Sequence, residues 1–281
     1  MKVARGEIAK HIVLIAGTTT LLVLCIIYPF ISGGYDRLAG PLSTMTQVFG
    51  IVGLPLALVG LLWFVMPRRR FVFAIASMVV GTFVAVILVL FATLSVGNAF
   101  GILTLAVWVY IVIQRIPKLK HLKNEDADDF NFAPLYLITL PTLTLIFQLI
   151  LATPMTRWSR SHAISNANEF IGDIEEYHAQ HGHYPLSLQA QNKDYYPDIV
   201  GVEKYLYAPQ GNVYNLSFEQ PRFLLDRFGT REWVVYNPRD EHRIYSHTAW
   251  LLPPPEQADP SQGWYASGDT GHLHWKYFLF D

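Results

Sequence analysis

Residues 133–185 read APLYLITLPTLTLIFQLILATPMTRWSRSHAISNANEFIGDIEEYHAQHGHYP, and the change of character near residue 154 decides the architecture. The first part, Ala133–Thr153, is apolar and free of charge over a length that crosses a bilayer as a helix, for which about 20 residues are needed. The second part keeps a helical period but becomes amphipathic. Ala163, Ala167, Phe170, Ile171, Ile174 and Tyr177 recur at three- and four-residue spacing, with Asp173, Glu175 and Glu176 largely off that face. A membrane helix therefore leads, with a break expected around Pro154, into a helix of roughly Thr156–His181 that serves a soluble domain. Gly182 is placed to end it and Pro185 prevents its resumption.

Upstream, four more stretches are long and apolar enough to span: roughly His11–Ile31, Met45–Met66, Phe71–Leu94 and Ala99–Ile116. The turn Ser95–Gly101 makes the third and fourth a hairpin. Pro55 and Pro141 are expected to kink their helices. Gly97-x-x-x-Gly101 has the spacing of a helix-dimer motif but falls in the turn. The chain thus divides into a transmembrane domain, 1–153, and a C-terminal domain, 154–281.

Charge follows the same division. Of 281 residues 52% are hydrophobic and 15% charged, well below the roughly 25% charged of an average soluble protein. Residues 1–153 hold eleven Lys/Arg against six Asp/Glu, a net +5, and residues 154–281 hold ten against sixteen, a net −6. An acidic domain without basic clusters excludes nucleic acid as an expected partner. Basic residues also alternate between loops: Lys2, Arg5 and Lys10; Arg68, Arg69 and Arg70; Arg115, Lys118, Lys120 and Lys123. The two intervening loops have only Arg37, so the N-terminus is expected in the cytoplasm and the C-terminal domain in the periplasm or outside the cell. Arg157 and Arg160 are the discord. Tyr28-Pro29-Phe30-Ile31 offers no small-residue cleavage site and Leu22–Cys25 is a poor lipoprotein signal, so the first helix is expected to stay. Cys25 is the single cysteine, and the C-terminal domain has no disulfide.

Past the long helix the sequence turns to short aromatic runs: Tyr205–Tyr207, Val213–Phe218 after a Gln210-Gly211-Asn212 turn, Glu232–Tyr236, Arg243–Ser246 and Leu273–Phe280. Asn237–Asp240 reads as a turn and Leu252–Gln262 as a Pro-rich loop. One long helix packed on about four or five antiparallel strands gives an α+β domain beside an all-α membrane bundle.

Glu169-Phe170-Ile171, Ile174-Glu175-x-Tyr177, His181-Gly182-His183-Tyr184-Pro185-Leu186 and the hairpin Gly211-Asn212-x-Tyr214-x-Leu216 resemble type IV pilins and type II secretion pseudopilins. The match covers about 50 residues of the C-terminal domain. It implies a pilin-like head, here on a multipass anchor. The family's early acidic residue is missing from Ala133–Thr153, and four spans precede that helix, so the resemblance does not extend to assembly into a pilus.

Candidate chemistry is sparse. Eight of the ten histidines lie in the C-terminal domain. His178, His181 and His183 cluster at the helix end, while His242 and His247, and His272 and His274, flank strands. Such imidazoles either hold a transition metal or simply suit helix and strand ends, and no zinc motif decides between them. Glu175 and Glu176 point about 100° apart on a helix, which suits a solvated face better than an acid–base pair. Asn215-x-Ser217 is a glycosylation sequon within an expected strand. Trp250, Trp264, Tyr265 and Trp275 either form a binding patch around the Pro-rich loop or pack a core. No nucleophile elbow, phosphate loop or reactive cysteine is present, no catalytic residue is assigned and no cofactor is expected. The spans carry no ionisable residue in their interiors. The leading expectation is a non-enzymatic membrane protein whose partners are the lipid bilayer and an envelope protein, ligand or second copy. A metal-dependent envelope enzyme using the clustered histidines, and a transporter or channel subunit, are the alternatives.

Overall fold

The computed structural model describes residues 5–124, 131–186, 194–226, 229–242 and 264–280. The expected strand Arg243–Ser246 and the Pro-rich loop Leu252–Gln262, with His247 and Trp250, lie outside these. The helices are α1 (Arg5–Ile27), α2 (Ala39–Val52), α3 (Leu54–Val65), α4 (Arg70–Ser95), α5 (Asn98–Asn124) and α6 (Ala133–His181). Four are long and apolar enough to cross a membrane, or five if α2 and α3, bent by 43° at the break between them, are counted as one span. The protein is a multipass membrane protein with a soluble C-terminal domain. The bend falls at Gly53, where Pro55 in the first turn of α3 has no N–H to continue α2. Pro141 and Pro154 do not act this way. Both lie inside α6, a single 49-residue helix, so the break expected near Pro154 is absent. A proline removes one donor and leaves the rest of the ladder intact, which membrane helices tolerate.

The chain divides into two compact units, one of 1–27 and 41–150, the other of 28–40 and 151–281. In the first, α6 lies against α2 and α3 at glycines. A Cβ on Gly60 would stand 2.8 Å from the Pro134 carbonyl and 2.9 Å from the Leu137 Cβ, and one on Gly50 would stand 3.0 Å from Thr144 Cγ2. Small residues that let backbones approach are the usual glue of membrane helices, where the hydrophobic effect gives little. One polar path crosses the same seam. Ser43 Oγ donates to the Ile26 carbonyl (2.6 Å), Gln47 Nε2 to Ser43 Oγ (2.9 Å) and Gln148 Nε2 to Gln47 Oε1 (3.1 Å). On α1, His11 bonds Tyr136 Oη (2.8 Å) and stacks on Phe132. The α4–α5 hairpin closes at Gly97, and Gly81 receives the ring of Trp108.

The second unit holds an open five-stranded antiparallel sheet of order β1-β2-β3-β5-β4, where β1 is Leu206–Gln210, β2 Val213–Gln220, β3 Arg231–Tyr236, β4 Trp264–Asp269 and β5 Trp275–Phe280. Gly211 takes a positive φ in the β1–β2 turn. Ala163, Ala167, Phe170 and Ile174 of α6 form one buried core with Tyr214, Leu216, Phe218, Val234 and Trp275 of the sheet. That core settles Trp275, 3% exposed, as a packing residue rather than part of an exposed aromatic patch.

Strand β4 was not expected. Its sequence WYASGD lacks β-branched residues, and it is held by pairing with β5, where Tyr277 lies across Gly268 and occupies the space of a side chain. Nor was the role of residues 28–40, the connection from α1 to α2. They form a strap paired with residues 198–201: Val200 N–H donates to Ile31 O (3.0 Å), Gly201 N–H to Pro29 O (2.9 Å), Gly33 N–H to Asp198 O (3.2 Å) and Asp36 N–H to Val200 O (3.0 Å). Phe30 is fully buried and stacks on Phe223 with centroids 4.5 Å apart. The first inter-helix connection is thus part of the core of the C-terminal domain.

Candidate functional site

Three places bring chemistry-bearing side chains together, and all three belong to the second unit. The first is the end of α6. Its last turns place Glu175 toward the sheet, where the carboxylate accepts a hydrogen bond from Tyr214 Oη (3.0 Å). Tyr184, which follows the helix stop at Gly182, packs edge-on against Tyr214 and stacks on His178 at 4.1 Å. Burial, reinforced by nearby Tyr236 and Glu175, pushes the Tyr214 hydroxyl far above its ordinary range, so it stays protonated and donates to Glu175. Glu176 is exposed and takes Gln180 Nε2 at 3.0 Å, so the adjacent glutamates diverge. Tyr177 is stacked on His181 (4.1 Å) and edge-on to His183 (5.8 Å). His181 Nδ1–H donates to the Tyr177 carbonyl and His183 Nδ1–H to that of Tyr184. The cluster expected from sequence is therefore assembled around tyrosine rings. Among the described residues no group of three His, Cys, Asp or Glu is placed to hold a metal ion.

The second place is a buried ionic network. Glu232 of β3 is 1% exposed and receives Arg160 Nη2 (2.5 Å), Arg160 Nε (2.8 Å) and Arg222 Nη1 (2.9 Å). Arg222 also pairs with Asp226 at 2.8 Å, and the Arg160 guanidinium lies 4.4 Å from the centre of the Tyr277 ring. Burial pushes the Glu232 carboxyl up, and the two guanidiniums oppose that shift. Next to Arg160 on the chain, Ser159 Oγ accepts Gln220 Nε2 at 2.6 Å. These groups tie the start of the head's helical face to β2, β3 and β5. Glu175 and its tyrosine tie the other end. Nothing in the local sequence marked Glu232; its position as an acidic residue in an aromatic strand was the only signal.

The third place holds the imidazole–hydroxyl and imidazole–carboxylate contacts. His272 Nε2 lies 3.1 Å from Ser161 Oγ. A nucleophilic serine needs a base, a group orienting that base and free N–H donors for the oxyanion. Ser161 lies inside α6, where the backbone donors are committed to the helix, and no orienting carboxylate meets His272 among the described residues. Asp198 Oδ2 takes both Ser32 Oγ–H (2.5 Å) and His162 Nε2 (3.1 Å), which lowers its carboxyl below the usual carboxylate range, the serine hydroxyl contributing most. There the hydroxyl faces the acid rather than the base, an arrangement that fastens the strap and does not activate a nucleophile. Asp240 Oδ2 and His274 Nδ1 form the analogous pair at 3.1 Å. His242 Nε2 donates to the His274 carbonyl, and burial holds its imidazole below the ordinary range. Asn215, the sequon asparagine, is 6% exposed and hydrogen-bonded to Asn237 Nδ2 at 2.9 Å, so it is a core residue.

No family model matches the chain, and neither a curated protein nor a solved structure matches it.

Proposed function

We propose that this is a non-enzymatic protein of the bacterial cell envelope, in which a multipass anchor in the inner membrane displays a pilin-like head outside the cytoplasm for binding a protein or another ligand. The carrying observation is the strap. Residues 28–40 pair with 198–201, so the connection between α1 and α2 lies on the same side of the membrane as the head. The basic connections at Arg68–Arg70 and Arg115–Lys123 are then on the opposite side, the arrangement that favours a cytoplasmic N-terminus. Arg160, one of the two discordant charges, is paired with Glu232 in the folded head, and a basic residue ahead of a long domain weighs little in topology. The pilin-like reading is supported by a long helix whose apolar first part leads into an amphipathic part carrying an antiparallel sheet. The non-enzymatic reading is supported by how the polar clusters are used among the described residues: their carboxylates, hydroxyls and imidazoles meet one another and backbone groups.

Two measurements test this. With Cys25 replaced by alanine, single cysteines at exposed Ser165 and Arg68 are probed in intact cells with a membrane-impermeant maleimide. Labelling at 165 and protection at 68 are expected; the reverse pattern overturns the orientation. Photo-crosslinkers at exposed His181 and Tyr196 in the full chain are then expected to capture a discrete envelope partner. Absence of any adduct from both sites across growth conditions would remove the binding role.

A further inference from the structure

The arginines of the second unit divide into two kinds. Arg160 and Arg222 are paired with Glu232, and Arg231 is paired with Glu219 at 2.6 Å. Arg37 and Arg157 are exposed and have no ion pair among the described residues. Asp36, beside Arg37, is turned to the Tyr28 hydroxyl (2.9 Å) and the Leu38 N–H (2.8 Å). These two stand beside a span, whereas Arg239, also exposed and without an ion pair among the described residues, lies in the turn after β3. Arg157 follows the apolar part of α6 by one helical turn, and Arg37 precedes α2 by two residues. Each has an exposed aromatic neighbour, Tyr35 at 50% and Trp158 at 44%. The Trp158 ring is backed by His162, stacked 5.3 Å away, which Asp198 holds in turn. Its outer face is thereby presented in a fixed direction.

A guanidinium and an amphipathic aromatic next to the end of a span are the groups that settle at the headgroup level of a bilayer. The surrounding domain is acidic, so two exposed cations at its span-adjacent positions, Arg37 beside Asp36 and Arg157 just beyond the apolar part of α6, are the groups there that complement an anionic surface. We propose that Tyr35, Arg37, Arg157 and Trp158 form an interfacial anchor that takes the phosphates of phospholipid headgroups in the leaflet on the head's side, with anionic lipid preferred. This uses the multipass topology and is independent of any partner of the head.

The test uses the full chain with Cys25→Ala in nanodiscs of phosphatidylcholine or phosphatidylglycerol. Nitroxides at Tyr35→Cys and Trp158→Cys are read by power saturation with oxygen and a water-soluble nickel chelate. Both labels are expected at headgroup depth. Water-like accessibility at both, or burial in the hydrocarbon centre, overturns the anchor. In the Arg37→Gln/Arg157→Gln protein, the preference for phosphatidylglycerol is expected to fall about fivefold per guanidinium removed, and millimolar inorganic phosphate is expected not to compete. Arg239→Gln, at an exposed arginine away from the spans, is expected to leave the preference unchanged. An unchanged preference in the double variant, or an equal fall in Arg239→Gln, also overturns it.

Discussion

Gln148 in the membrane unit and Glu232 in the head are both almost wholly buried, and they are held on different terms. Gln148 makes one hydrogen bond to Gln47 on a neighbouring helix, inside packing that depends on glycines at 50, 53 and 60. Glu232 is a carboxyl surrounded by two guanidiniums, each with a further contact of its own. The membrane unit is held by close backbone approach with a neutral polar pair as an accessory. The head is held by an aromatic core whose end is fastened with charges. A neutral amide is inexpensive to bury where the unpacked helix would also find partners in the bilayer. A charge removed from water is tolerable only with its counter-charges in place.

The largest expected effect follows from removing the centre of the ionic network. Glu232→Ala leaves Arg160 and Arg222 buried without a counter-charge, and the head is expected to lose about 3–5 kcal/mol in chemical denaturation monitored by tryptophan fluorescence. A loss below 1 kcal/mol would mean the head treats its charges as lightly as the membrane unit treats its amides. Phe30→Ala is next. It alters a residue between two membrane helices, yet the cavity opens against Phe223, so about 3 kcal/mol is expected from the head's transition and little change from the helical bundle. Gln148→Leu is expected to cost only about 0.6 kcal/mol in a detergent unfolding titration. A cost comparable with that of Glu232→Ala would erase the contrast.

The smallest effect is a pH dependence. The folded-state carboxyl of Asp198 is lowered, first by Ser32 and then by His162. Its contribution to stability is therefore complete above the ordinary carboxylate range and is lost as pH falls through the lowered value. Asp198→Asn is expected to lower the head's melting temperature at neutral pH and to flatten its acid limb between about pH 5 and 3, so that variant and parent converge in acid. An identical acid limb in the variant would show that the strap does not depend on this carboxylate.

The same contrast explains what the amino-acid sequence made legible. Spans, the α4–α5 hairpin and the amphipathic face of α6 are periodic and local, and they read directly from hydrophobicity. The stop at Gly182 and the turn at Gly211 read from backbone chemistry. What escaped was set by distant partners. Strand β4 has weak local preference and exists because β5 pairs with it, and Tyr277 covers Gly268. Pro154 signals a break that α6 does not make. The strap reads as an ordinary connection because neither its length nor its composition announces residues 198–201, and the tie between Arg160 and Glu232 spans 72 positions. The histidines of the α6 end could be located by sequence, but their engagement with tyrosine rings could not.

The strap also imposes an order on biosynthesis. Phe30 is made roughly 190 residues before Phe223, the ring it stacks on. At about 5–20 residues per second, that interval is roughly 10–40 s. Throughout it, one of the head's core aromatics waits at the membrane surface, between two helices already made, without the domain it belongs to. Completion of the head therefore requires the first helical connection and the C-terminal domain to end on the same side, and a chain that misses one of the crossings between them would carry its own folding defect.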